Sequence, residues 1–200
     1  MKQEKELIEN AIGSSYTYEE YRKLVSDLLK ENKSTGHEQS EALTEYSKLN
    51  DRRMKRWDKT AKIDETHSKV FENAKVDVTW VVLTEGWCGD AAHALPVINK
   101  LAMLNPGIDL KIALRDDHDE LMNKFLTNGG KAIPKLIAFD NTTQEIVNSW
   151  GPRPSTPTKM VNEYKEEHGG LDGKFKEDLQ LWYNKNKGKN IVEDLVGLMK

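Results

Sequence analysis

The segment Gly86-Trp87-Cys88-Gly89-Asp90-Ala91 holds the one cysteine of the chain. Cys88 stands between an apolar run and a stretch with helical spacing, which places it at the first turn of a helix. Free backbone N–H groups and the positive end of the helix dipole favour a thiolate there, and the thiolate is the nucleophile of disulfide exchange. The expectation is an exposed thiol of depressed pKa. Gly86, Gly89 and Asp90 are loop and cap residues, which seldom surround a core position, so the alternative of a small buried hydrophobe fits less well. A lone thiol also limits the chemistry. It can attack a disulfide and form a mixed disulfide, but release then needs an outside thiol.

Several neighbours bear on that sulfur. Asp90 adds a negative charge that opposes thiolate formation if it points at the sulfur, while as a first-turn acid it favours the helix. Glu85 is a candidate auxiliary acid just before Trp87, with a solvated loop carboxylate as the plain alternative. His93 lies five positions after Cys88, so the two do not share a helix face, and a partly exposed or capping role is expected. Trp87 shields the sulfur or offers a surface to a partner. The basic run Arg52, Arg53, Lys55 and Arg56 either faces the thiol, lowering its pKa or receiving carboxylates of a substrate such as glutathione, or is a solvated face.

Other chemistries find no support. The five histidines His37, His67, His93, His118 and His168 are scattered, and no second cysteine stands at metal-ligand spacing. Asp116 to Glu120 is acidic enough to suggest a cation site, but a helix start explains it with less. There is no G-x-G-x-x-G and no P-loop. Neither a metal nor a cofactor is expected. With 200 residues and a formal net charge of -3, the chain has room for a real core and lacks the basic excess of a nucleic-acid binder. No stretch approaches the roughly 18 apolar residues of a membrane span, and the start of the chain has no apolar signal region, so a cytoplasmic protein without nucleic-acid or membrane partners is expected.

The elements that must position Cys88 follow from periodicity. Residues 1–75 read as helices packed on the core. Thr17 and Glu20 form a capping-box pattern flanked by Tyr16 and Tyr21 as a hydrophobic staple, and a second helix runs from about Glu38 to Lys59. Val76 to Thr84 reads as a strand buried on both faces. A helix with Ala94, Leu95, Ile98, Leu101 and Ala102 on one side follows, then a strand from Ile108 to Leu114. This is a βαβ unit with parallel strands. Asp117 and Glu120 suggest another capping box, opening a helix that Gly129-Gly130 ends. Lys135 to Asp140 and Glu145 to Trp150 read as a hairpin, which makes the sheet mixed. Helices follow from Thr156 to Tyr164, around Phe175, Leu179 and Trp182, and from Asn190 with Glu193 to near Met199.

These residues resemble the thioredoxin family. WCGDA is similar to that family's W-C-G-P-C, with Asp90 for the proline and Ala91 for the second cysteine. Pro96 stands where the family has its helix proline, and KAIPKLIAFD resembles the loop with a cis proline before the third core strand. The resemblance spans Val76 to about His168. It implies an α/β thioredoxin-like fold, a central mixed sheet flanked by helices, with an N-terminal helical extension over 1–75 and extra C-terminal helices within a domain of 76–200. It implies a cis Ile133-Pro134 bond beside Cys88, and a site of Trp87, Cys88, Gly89, Asp90, Ile133 and Pro134 that takes an extended peptide along the Ile133 backbone. Read from its own residues, Pro134 is a strand-start proline. Two features depart from the family: the second cysteine is absent, and Val82 occupies the place of the buried acid six residues before the first cysteine.

The expected function is monothiol thiol-disulfide exchange through Cys88 with a protein disulfide or low-molecular-weight thiol. The alternative is a redox-inactive module that binds proteins or peptides in the same groove. A third reading is a peroxide-sensing thiol oxidised to sulfenic acid. The sequence does not fix the oligomeric state.

Overall fold

The structure, a computed structural model, describes residues 2–199. Helices α1 (Lys2–Gly13), α2 (Tyr18–Lys30), α3 (Glu41–Thr60) and α4 (Glu65–Asn73) precede strand β1 (Val78–Thr84). Helix α5 (Gly89–Ala102), strand β2 (Ile108–Leu114) and the short helix α6 (Asp119–Met122) follow. Strands β3 (Lys135–Asp140) and β4 (Glu145–Trp150) lead to helices α7 (Ser155–His168), α8 (Gly173–Asn186) and α9 (Lys189–Val196).

The sheet has the order β2-β1-β3-β4. β1 lies parallel to β2, with Val82 opposite Ile112, and antiparallel to β3, with Val82 opposite Leu136. β4 closes the sheet antiparallel to β3. Every residue of β1 is buried, Thr79 and Thr84 included, as befits a largely apolar central strand covered on both faces, whereas β4 is largely exposed. The helices before β1 contribute to the same apolar core: Ile8, Phe71 and Trp80 are all but fully buried, and Phe71 meets Trp80 edge to face at 6.2 Å. Burial of a side chain such as Phe71 is worth about 2–3 kcal/mol of transfer free energy. α7 and α8 enclose a smaller cluster of Val161, Phe175, Leu179 and Tyr183.

Local signals behave unevenly. The Thr17–Glu20 capping box forms as expected, whereas Tyr16 gives its backbone to Ile112, N–H to C=O in both directions at 2.8 Å, and extends the sheet beside β2. The helix expected from Asp117 to Gly129 is cut to one turn. Asp117 accepts a hydrogen bond from His37 Nε2 at 2.7 Å instead of capping, Leu121 and Met122 are buried in the core, Phe125 packs against it partly buried, and Leu126 is exposed. The expected cap at Asn190 is absent as well: α9 is preceded by Gly188, and Asn190 Oδ1 accepts from the Thr156 N–H at 2.9 Å, tying α9 to the start of α7.

Two cis peptide bonds precede prolines, Ile133–Pro134 and Gly151–Pro152. The second carries no signal in the sequence reading. Gly151 has φ of 108°, and a Cβ there would fall 2.2 Å from the Pro134 carbonyl oxygen. Only glycine fits that approach, which brings the exit of β4 against the Pro134 loop.

Candidate functional site

The last residue of the central strand, Thr84, delivers the chain to a loop that the α2–α3 connection and α3 clamp before α5 begins. Gly86 N–H donates to Thr35 Oγ1 at 2.7 Å and its carbonyl accepts from Asn50 Nδ2 of α3 at 3.1 Å. Neither Thr35 nor Asn50 was singled out in the sequence, because a buried polar residue that positions a distant loop leaves no periodic mark. Cys88 is the N-cap of α5, with extended dihedrals and Sγ 3.5 Å from the Ala91 N–H. Its thiol donates to the Ile133 carbonyl at 3.2 Å, on the residue that precedes cis-Pro134.

The thiol differs from the expected one. Cys88 is buried, 8% exposed, and burial pushes its pKa up to about 12. The Asp90 charge pushes in the same direction, and the backbone N–H groups of Ala91 and Asp90, with Arg153, lower it too little to compensate. Position at a helix N-terminus therefore loses to desolvation here. The bond to Ile133 O adds to this, since it engages the protonated sulfur.

Asp90 turns toward α8. Its Oδ2 pairs with Arg153 at 2.7 Å and its Oδ1 accepts from the Tyr183 hydroxyl at 2.9 Å. Burial raises its pKa against both partners. Trp87 is half-buried, with the Arg115 guanidinium 4.9 Å above its ring. Glu85 is fully buried, not a solvated loop acid. Its carbonyl accepts from Cys88 N–H at 3.1 Å, its Oε1 accepts from Asp116 N–H at 3.0 Å, and Oε2 has no hydrogen bond of normal geometry. Burial raises its pKa, but it makes no bond to the sulfur. Val82 is fully buried in the sheet.

His93 also corrects the expectation of an exposed or capping residue. It is 1% exposed, accepts from Trp57 Nε1 at Nδ1 (2.9 Å), bonds Gln180 Oε1 through Nε2 (2.7 Å) and stacks on Tyr183 at 4.3 Å. These partners assign the neutral tautomer with hydrogen on Nε2. His93 thus ties α3, α5 and α8 together and makes no hydrogen bond to the thiol. Burial lowers its pKa from 6.5 to about 4. The native state then refuses a proton that the unfolded chain accepts, so stability is complete above pH 6.5 and falls as pH drops toward 4. The loss amounts to about 3 kcal/mol. Denaturant titrations at several pH values should show that His93→Gln removes this slope; an identical slope in both proteins would show that other groups carry it.

Of the basic run only Arg53 reaches the site. Its Nη1 lies 3.6 Å from where a Cβ on Gly89 would sit, whereas Arg52 is exposed, Lys55 pairs with Asp51 and Arg56 bonds Asn184. Around Cys88 opens a groove of about 780 Å³. Trp87, Cys88 and Ile133 form its floor, Tyr46 and Arg53 of α3 one wall, and Lys176 of α8 the other. The described residues hold no group of three or more His, Cys, Asp or Glu side chains arranged for a metal ion, and no helix among them is long and apolar enough to cross a membrane.

A family model described as Thioredoxin matches residues 36–165. The match starts 40 residues before Val76 (76 - 36 = 40), so α3 and α4, which the sequence comparison with that family left outside, lie within its span. A solved protein of unknown function from Pseudomonas aeruginosa superposes with a TM-score of 0.59 at 13% identity, covering 76% of this chain and 84% of that one. An HIV epitope-scaffold superposes with a TM-score of 0.57 at 14% identity, covering 87% of this chain and 96% of that one. At these identities the likeness is one of fold. No curated protein matches the chain.

Proposed function

The chain belongs to the thioredoxin family, and from that premise we propose that it performs monothiol thiol-disulfide exchange on an extended peptide held in the Cys88 groove. The observation that carries this reading is the meeting at the groove floor of Sγ and the carbonyl of Ile133, the residue that precedes cis-Pro134. A peptide laid along that edge donates a backbone N–H to Ile133 O and displaces the thiol hydrogen. Sγ, freed from the bond that favours its protonated form, attacks one sulfur of the substrate disulfide. The new Sγ–S bond forms as the substrate S–S bond breaks, and the proton lost from Sγ ends on the departing thiolate. Ala91 offers no second thiol, so an external low-molecular-weight thiol must attack the substrate sulfur of the mixed disulfide; the Sγ–S bond breaks, Cys88 regains its thiol, and the substrate sulfur leaves as a mixed disulfide with the external thiol.

A peptide whose cysteine is capped with thionitrobenzoate tests this. The native protein should release one equivalent of coloured thiolate, gain the peptide mass and lose it again to added glutathione, while Cys88→Ser does none of these. An adduct that forms only after unfolding would discard exchange. One observation favours a second reading, a binding module without a covalent step: the buried, hydrogen-bonded thiol whose pKa lies near 12. Peptide binding without adduct formation would select it.

A further inference from the structure

Charge is not spread evenly over this protein. The chain as a whole is acidic, with a net charge of -3. The groove around Cys88 is lined by Arg53, Arg115, Lys131, Arg153 and Lys176 against only Asp90 and Glu177. Three of the cations have carboxylate partners: Arg115 with Asp116, Arg153 with Asp90, and Lys131 with Asp119. Arg53 of α3 and Lys176 of α8 have none among the described residues. Arg53 donates only to the amide oxygen of Asn50, at 3.0 Å. It is half-buried beside Gly89, so its charge is partly desolvated, with Asp90 acting on it through space but no carboxylate in ion-pair contact.

The same wall carries an apolar stripe. Leu43, Tyr46 and Leu49 of α3 line the groove at spacings of three, in line with Arg53, and Tyr46 is 55% exposed. An open aromatic ring flanked by Leu43 and Leu49 makes a contiguous apolar patch, which marks a contact surface. From Leu43 to Arg53 the stripe covers ten positions (53 - 43 = 10), about 15 Å of helix at a rise of about 1.5 Å per residue. An extended peptide advances about 3.3 Å per residue, so the stripe matches four to five residues of strand.

We infer that the groove selects acidic peptides: an extended segment of about five residues, with an apolar side chain on the Leu43–Tyr46–Leu49 stripe and Asp or Glu side chains toward Arg53 and Lys176. The inference rests on the exchange reading only in sharing its groove and names the substrate class for it. Both unpaired cations stand on elements that a bare strand-helix core does not supply, α3 before the sheet and α8 after it. α8 also lies outside the span that the family model matches. Selectivity here is thus built by the walls, while the floor supplies the sulfur and the strand edge.

The test uses the full chain carrying Cys88→Ser and two fluorescein-labelled pentapeptides, each with a central serine and leucines, one flanked by aspartates and the other by lysines. In fluorescence anisotropy the acidic peptide should bind at least about tenfold tighter than the basic one, and added salt should narrow the gap. The exposed-site variant Lys176→Glu and the pair Arg53→Glu with Lys176→Glu should each weaken the acidic peptide, the pair by more than about tenfold. Equal affinity for the two peptides, no binding of either, or indifference to both charge reversals would overturn the inference. The capped-cysteine assay separates the two proposals. Acidic peptide bound by Cys88→Ser with no adduct on the native protein retires exchange and leaves the groove's preference standing. Adducts formed equally fast from acidic and basic capped peptides retire the preference and leave exchange.

Discussion

Iodoacetamide should alkylate Cys88 in the folded protein about 100-fold more slowly than a free thiol at pH 8, and the rate should climb with pH without reaching a plateau below pH 10. The pKa pushed to about 12 leaves, relative to an ordinary thiol near 8.5, only about a thousandth of the thiolate. A more basic thiolate is also a better nucleophile, with a Brønsted slope of about 0.4–0.5, which recovers part of that loss. Access through the groove adds a further delay, since Cys88 is only 8% exposed. In guanidinium the rate should return to that of a free thiol. The same pKa has a thermodynamic counterpart. Above about pH 8.5 the unfolded chain ionises its thiol while the native state keeps the proton, so stability falls as pH rises, and Cys88→Ser should flatten that fall. A plateau near pH 7 in the native protein would show instead an activated sulfur and remove the burial argument. The expected result does not contradict exchange. It requires that the peptide, by taking the Ile133 carbonyl, activates the sulfur it is to meet.

This thiol shows how far local pattern reaches. The strand-helix-strand order around Cys88 and the β3–β4 hairpin were legible, because each rests on residues close in sequence, an apolar run or a period of 3.6; the cis bond at Pro134 was implied only by the resemblance to the thioredoxin family, since its own residues read as a strand-start proline. What the sulfur's surroundings do to it was not. Desolvation of Cys88, the pairing of Asp90 with Arg153 and the capture of His93 by Trp57 and Gln180 all come from elements 36 or more positions away. A capping residue is recognised by its neighbours within a turn, whereas a buried charge is recognised only by its partner. The same division explains the lost helix at Asp117, whose carboxylate serves His37 across 80 positions.

Arg153 should prove costlier to remove than its distance from the sulfur suggests. Its guanidinium meets Asp90 Oδ2 at 2.7 Å with the carboxylate side chain 11% exposed, and the Tyr183 hydroxyl is the other donor to that carboxylate. Arg153→Met leaves a buried negative charge with a single neutral donor, an arrangement that costs about 3–5 kcal/mol when one partner of such a pair is lost. Asp90→Asn should cost less, because Arg153 is 23% exposed and can turn its charge to the water of the groove. The double variant should lose well less than the sum of the two single losses, a coupling of about 2 kcal/mol by denaturant titration. The sulfur gives an independent readout. Asp90 is the second-largest cause of the raised thiol pKa, so Asp90→Asn should speed alkylation of Cys88, and Arg153→Met should not. Additive losses would mean that the pair is not coupled in solution, and an alkylation rate unmoved by Asp90→Asn would mean that desolvation alone holds the thiol in its protonated form. If both effects appear, the aspartate standing where the family has its proline is a restraint on the sulfur, anchored by an arginine that the cis Gly151–Pro152 turn delivers to it.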